Sequence, residues 1–98
     1  MPTPYTKLQN GNGLITTSGI PVQLATQKTP CGKLTLTALP TNTDVIVFGG
    51  STVVAAVNGR SGTPLQPGQA VDIAIDDLNK VWLDAVVSGN GYSFTYLF

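Results

Sequence analysis

The stretch Lys80–Phe98, KVWLDAVVSGNGYSFTYLF, decides how this chain is read. Two runs of alternating residues flank a Ser-Gly-Asn-Gly turn, the pattern of a β-hairpin. With Gly89 and Asn90 as a two-residue loop of the positive-φ kind, Val87 pairs with Tyr92, Ala85 with Phe94, Leu83 with Tyr96 and Val81 with Phe98. Every residue on that face is apolar or aromatic. The opposite face pairs Trp82 with Leu97, Asp84 with Thr95 and Val86 with Ser93. A Trp beside a Leu and a Val forms the kind of apolar patch that marks a contact surface, unless the N-terminal segment or a long loop of the same chain lies over it. The strand YSFTYLF carries no charge, so its edge must be internal to a sheet or covered by another chain.

Working outward, the same alternation recurs. KLTLTAL sets Leu34, Leu36 and Ala38 against Thr35, Thr37 and Leu39, and AVDIAID sets Val71, Ile73 and Ile75 against Asp72, Ala74 and Asp76. PVQLAT supplies an earlier strand, VIVF at 45–48 is apolar on both sides and so central, and STVVAAV adds a short candidate. Turn clusters separate these runs: PTNT at 40–43, GGS at 49–51, NGRSG at 58–62 and QPGQ at 66–69. Period-two runs broken every 8 to 12 residues or so predict an all-β chain, an antiparallel β-sandwich or jelly-roll-like fold of seven to eight short strands. MPTPYTKLQNGNG has two prolines, two glycines and little apolar period. Residues 1–19 are therefore expected as an extended arm, held only if something binds it, and residues 20–98 as the β domain.

The chain has 98 residues, enough for one domain with one small core. Lys and Arg number 5 against 5 Asp and Glu, and charged residues are 10% of the chain. A neutral chain without a basic cluster excludes the phosphate neutralisation on which nucleic-acid affinity rests. No apolar run nears the roughly 20 residues that span a bilayer, and no signal-peptide pattern opens the sequence. Synthesis and residence in the cytoplasm follow, unless the protein leaves as part of a particle.

Histidine and glutamate are absent, which removes Ser-His-Asp triads, Cys-His pairs and imidazole ligands. Asp76-Asp77 is the only adjacent carboxylate pair, and DDLNK reads as a turn in which an Asp accepts backbone N–H bonds. The same segment lacks the spacing of a calcium loop, and the glycines of FGGS and NGRSG lack the lysine and helix of a phosphate cradle. Cys31, the single cysteine, reads as a structural thiol in the TPCG turn. No catalytic, metal or cofactor residue is nominated. What remains is binding, with Tyr5, Leu8, Leu14 and Ile15 of the arm and Trp82, Val86 and Leu97 of the ribbon as the candidate interface.

TPCGKLTLTALPTNTDVIVFGGSTV, followed by LQPGQAVDIAIDDLNKVWLDAVVSGNGYSFTYL, resembles a recurrent group of small β proteins among the virion components of tailed bacteriophages. The likeness covers about residues 20–98. It is carried by Cys31 after proline, the Asn42-Thr43 turn, the Gly49 to Ser51 step, the Leu65 to Val71 turn-strand unit and the Asp77 to Val81 loop. The resemblance implies no functional site. It implies a capsid decoration or cement protein on the outer shell, a homo-oligomer with the trimer favoured, bound to the major capsid protein. The alternatives are a tail, collar or baseplate component, and a carbohydrate- or host-surface-binding module in which Trp82, Tyr92 and Tyr96 stack sugars.

Overall fold

The computed structural model describes residues 7–98, and every regular element longer than one turn is a strand. In chain order these are β1 (Leu8–Ile15), β2 (Val22–Gln23), β3 (Lys33–Ala38), β4 (Ile46–Gly49), β5 (Thr63–Leu65), β6 (Ala70–Ile73), β7 (Trp82–Ala85) and β8 (Asn90–Leu97), with a 3₁₀ turn at Leu78–Lys80. They form two four-stranded antiparallel sheets, in the orders β1-β8-β3-β6 and β2-β7-β4-β5. The predicted β-sandwich class is what the chain adopts.

Alternation places the core between the sheets. Leu34, Leu36 and Ala38 of β3 stand opposite Tyr96, Phe94 and Tyr92 of β8. From the other sheet come Ile46, Leu65, Leu83 and Ala85, all buried in the same cluster. Val71 and Ile73 of β6 and Ile75 just beyond it pack against its margin, as their period predicts. The QPGQ turn closes as expected, with Gly68 at φ 83 and the Gln69 N–H donating to the Gln66 carbonyl at 2.9 Å.

The terminal hairpin does not form. β7 lies in one sheet, between β2 and β4, and β8 lies in the other, between β1 and β3. Leu83 pairs with Val22 and Phe48 instead of Tyr96, and Phe94 pairs with Gly11 and Leu36 instead of Ala85. Of the face read as apolar, Val81, Leu83, Ala85, Tyr92, Phe94 and Tyr96 turn to the core, whereas Val87 and Phe98, at the two ends of the ribbon, are exposed; Leu83 and Ala85 meet the β8 aromatics across the core and not alongside them. The chain turns this corner at residues 86–89, where Gly89 takes φ 90 and donates its N–H to the Ile15 carbonyl at 2.8 Å. Ser18 clamps the corner: its N–H reaches Ser88 Oγ at 2.8 Å, and its hydroxyl lies 2.7 and 2.9 Å from the carbonyls of Ala85 and Val86.

Residues 8–15, within the stretch expected as an arm, are the outermost strand of the first sheet, paired along their length with β8 from Leu8–Leu97 to Ile15–Asn90. Its inner face carries Gly11 and Gly13, and β8 supplies what these lack. A Cβ on Gly11 would fall 2.5 Å from Phe94 Cζ, and one on Gly13 would fall 2.4 Å from the Tyr92 hydroxyl. The far end of each ring therefore reaches over a glycine, covering backbone that no side chain of β1 protects.

The outer face of the second sheet answers what covers Trp82. Val45, Val47, Val53 and Ala55 form a second buried cluster, against which Trp82 and Val86 pack. The segment between β4 and β5 folds back over this face, closed by reciprocal bonds between Val54 and Ser61 at 2.9 Å. Asp84, 2% exposed, holds it there. Its carboxylate accepts from the N–H groups of Gly19, Ala55 and Ala85, each at 2.9 Å.

Replacing Asp84 with Ala leaves three backbone donors without their acceptor. The expected cost is about 3 kcal/mol or more. Because Trp82 is the only tryptophan, release of the covering segment would also red-shift its emission below the unfolding transition. Unchanged stability and emission in Asp84→Ala would contradict this account of the anchor.

Candidate functional site

Once the second face of the ribbon is covered from within, the expected interface residues separate. Trp82 and Val86 are half-buried under the chain's own 50–62 segment. Ile15 is fully buried in the main core, so it belongs to no surface. Tyr5 lies outside the described residues. Leu8, Leu14 and Leu97 do share one face, the outer side of the first sheet. Trp82 and Leu97, paired in the hairpin reading, stand on different sheets. So do Trp82 and the two tyrosines proposed as sugar platforms: Tyr92 is buried in the core, and Tyr96 packs at its margin.

The outer face of the first sheet is built by period two. Across it run Leu8, Asn10, Asn12 and Leu14 of β1, Ser93, Thr95 and Leu97 of β8, and Lys33, Thr35 and Thr37 of β3. Two apolar spots bracket a neutral polar middle. At one end Leu8 sits opposite Leu97. At the other, Leu14 and Leu39 close over Gly91, where a Cβ would fall 2.9 and 2.7 Å from their methyl carbons. Leu8 is 67% and Leu14 56% exposed. The one charged pair on this side is self-neutralising, with Lys33 Nζ 3.5 Å from the Asp72 carboxylate. The Thr35 hydroxyl donates to that carboxylate at 2.7 Å; this bond first, and the Lys33 charge second, hold the Asp72 carboxyl below its ordinary range.

Groups that could carry chemistry are engaged structurally. Asp77 accepts from Thr29 N–H at 2.8 Å and Asn79 N–H at 3.0 Å, capping the 3₁₀ turn as the DDLNK reading predicts. Asp76 pairs with Lys80 at 2.7 Å on the surface. Cys31 is buried in the core cluster, and its S–H donates to the Ile75 carbonyl at 3.2 Å. Burial first, then the charges of Asp77 and Asp76, push its thiol above the ordinary value. Asn90 and Asn42 fasten the 40–44 turn to β8: Asn42 exchanges two bonds with the Gly91 backbone at 2.7 and 2.8 Å, and Asn90 Oδ1 accepts the Thr43 N–H at 3.1 Å. Every buried side-chain nitrogen and oxygen among the described residues has a partner. Among those residues no cluster of three His, Cys, Asp or Glu could hold a metal.

The free edge of β1 is the feature that sequence reasoning missed. Lys7 and Phe98 exchange both backbone bonds at 2.9 Å, so odd-numbered residues of β1 turn their N–H and C=O groups toward β8. Those of Leu8, Asn10, Asn12 and Leu14 point outward. Among the described residues no strand pairs with them.

Comparison with protein-family models, with curated proteins and with solved structures finds no match to this chain.

Two solution measurements check this geometry. Cys31 should react with iodoacetamide only as fast as the protein opens, because the reactive thiolate is disfavoured and covered; rapid labelling of the native protein would refute its placement. Burial raises the Tyr92 phenol above its ordinary 10.0, so the folded chain holds that proton more tightly than the unfolded one. Its contribution to stability is complete below pH 10 and fades as pH climbs through the raised value. Tyr92→Phe should lose less stability than the parent as pH rises above the ordinary phenol value in urea melts.

Proposed function

We propose that this protein is a non-enzymatic structural component of a tailed-phage virion, a decoration protein that attaches to the outside of the capsid shell as a homo-oligomer and reinforces it. The observation that carries this reading is the outer face of the first sheet. It is a broad ladder of Thr, Ser and Asn side chains bracketed by Leu8 with Leu97 and by Leu14 with Leu39, and its single ion pair is closed on itself. A surface of that kind suits another folded protein better than a phosphate backbone, which needs excess positive charge, or a small molecule, which needs a concave pocket. The resemblance of residues 20–98 to virion β proteins supports the same assignment and suggests the major capsid protein as partner.

The mechanism is mechanical. Each copy bridges neighbouring shell subunits through this face. Many modest contacts repeated over a lattice, each oligomer engaging several sites at once, resist the outward pressure of packaged DNA through avidity.

Cryo-electron microscopy of intact particles tests the reading directly: density for many copies distributed over the shell is expected. A few copies at one vertex would instead make the protein a tail or collar component, and absence from particles would end the virion proposal. Purified protein added to shells lacking it should bind with an affinity that changes less than roughly threefold between 50 and 500 mM salt, since little charge is available to screen. A steep salt dependence would show that some other, charged surface makes the contact.

A further inference from the structure

The four sheet edges are not treated alike. β2 is only two residues long, β5 is three residues long and contains Pro64, and β6 carries Asp72 at its middle. Shortness, proline and charge are the devices by which natural sheets prevent edge-to-edge pairing. β1 has none of them. It presents eight residues, LQNGNGLI, with no charge and no proline, and among the described residues its outward amide at Asn10 meets only the side-chain oxygen of its neighbour Gln9, at 3.1 Å.

The order of residues on that edge names the occupant. About Gly11 the outer face of β1 reads the same in both directions, Leu8 and Asn10 on one side and Asn12 and Leu14 on the other. We infer that the free edge of β1 pairs antiparallel with the free edge of β1 in a second copy, about a twofold axis through Gly11, joining two sheets into one of eight strands. In this register Asn10 lies opposite the second copy's Asn12, and Leu8 opposite its Leu14. All four residues turn their backbone groups outward, so each pair exchanges two N–H···O=C bonds, and Gly11 faces Gly11 at a position where none is due. Opposite residues stand on the same face, so both copies keep their aromatics inward and their Thr and Asn ladders outward. The leucines, the most exposed residues of the strand that are apolar, cover one another. The contact is isologous and closes at two copies.

This inference rests on the preceding reading only in taking the protein to self-associate, and its test separates the two. A one-strand contact is small, so association should be followed by sedimentation equilibrium from roughly 10 μM to 1 mM. Three variants of the full chain discriminate. Asn12→Pro removes an outward donor that β8 does not use, a substitution edge strands tolerate, and should leave a monomer with its thermal midpoint intact. The double variant N10K/N12K sets lysine against lysine twice and should weaken the dimer by roughly tenfold or more, whereas N10K/N12D sets lysine against aspartate twice and should restore it. Restoration occurs only in the Gly11-centred register, because a shift by two would bring Lys against Lys or Asp against Asp. A parent protein that is monomeric throughout the range overturns the inference. An oligomer indifferent to all three variants also overturns it, while leaving shell attachment by an oligomer standing.

Discussion

The row of aromatic side chains on β8 is the constraint from which the rest of the structure follows. Tyr92, Phe94 and Tyr96 succeed one another on the inner side of a single strand, with ring centroids 6.2 and 6.1 Å apart. Rings of that size need flat ground beside them as well as a core beneath. β3 provides Leu34, Leu36 and Ala38 on one flank. On the other, β1 provides glycines, and any larger residue would collide with the rings. β8 is thereby forced to the middle of its sheet, which leaves β7 to find partners elsewhere. It finds them in β2 and β4, and the two sheets close around the same apolar rows.

The second sheet meets a different difficulty, apolar residues on both sides. Its inner side is the common core. Its outer side is sealed by the 50–62 segment, and the seal depends on a carboxylate buried among apolar neighbours. A lone ionised group in such a place is costly unless hydrogen bonds compensate it. Asp84 receives three, from the 16–20 segment, the covering segment and its own strand. Burial of a charge here fixes where two loops must lie, a specificity that apolar packing alone supplies poorly.

Much of this was legible in advance. The alternation of KLTLTAL and AVDIAID identifies the inward residues, and the glycine and proline clusters mark the turns. In the terminal ribbon the alternation identifies the inward residues of the middle, Val81, Leu83, Ala85, Tyr92, Phe94 and Tyr96, but not the exposed ends, Val87 and Phe98. It also misassigns the partners, because a row of apolar side chains carries the same pattern whether its neighbour lies beside it or across a core. β1 was hidden for a physical reason: LQNGNG has no apolar period of its own on the inner face, since Phe94 and Tyr92 supply that apolar surface from the next strand. Of the seven candidate interface residues, Leu8, Leu14 and Leu97 share a face only because β1 pairs with β8, and nothing in the sequence separates these three from the other four. The covering of Trp82 had one sequence signal, the solitary Asp84 within VWLDAVV, whose buried role is that of an anchor.

The placement of β8 also governs the order in which the molecule can assemble. It follows every other strand along the chain, yet it lies between β1 and β3 in the finished sheet, and its first partner is separated from it by most of the sequence. β1 has no other strand to join until β8 arrives, and the β3–β6 pair waits with one flank open. The second sheet, by contrast, is complete with β7. Pairing of β1 with β8 is therefore a high-separation closure, the slow kind for a β protein, and a chain without β8 would leave the flanks of β1 and β3 unpaired and open to aggregation.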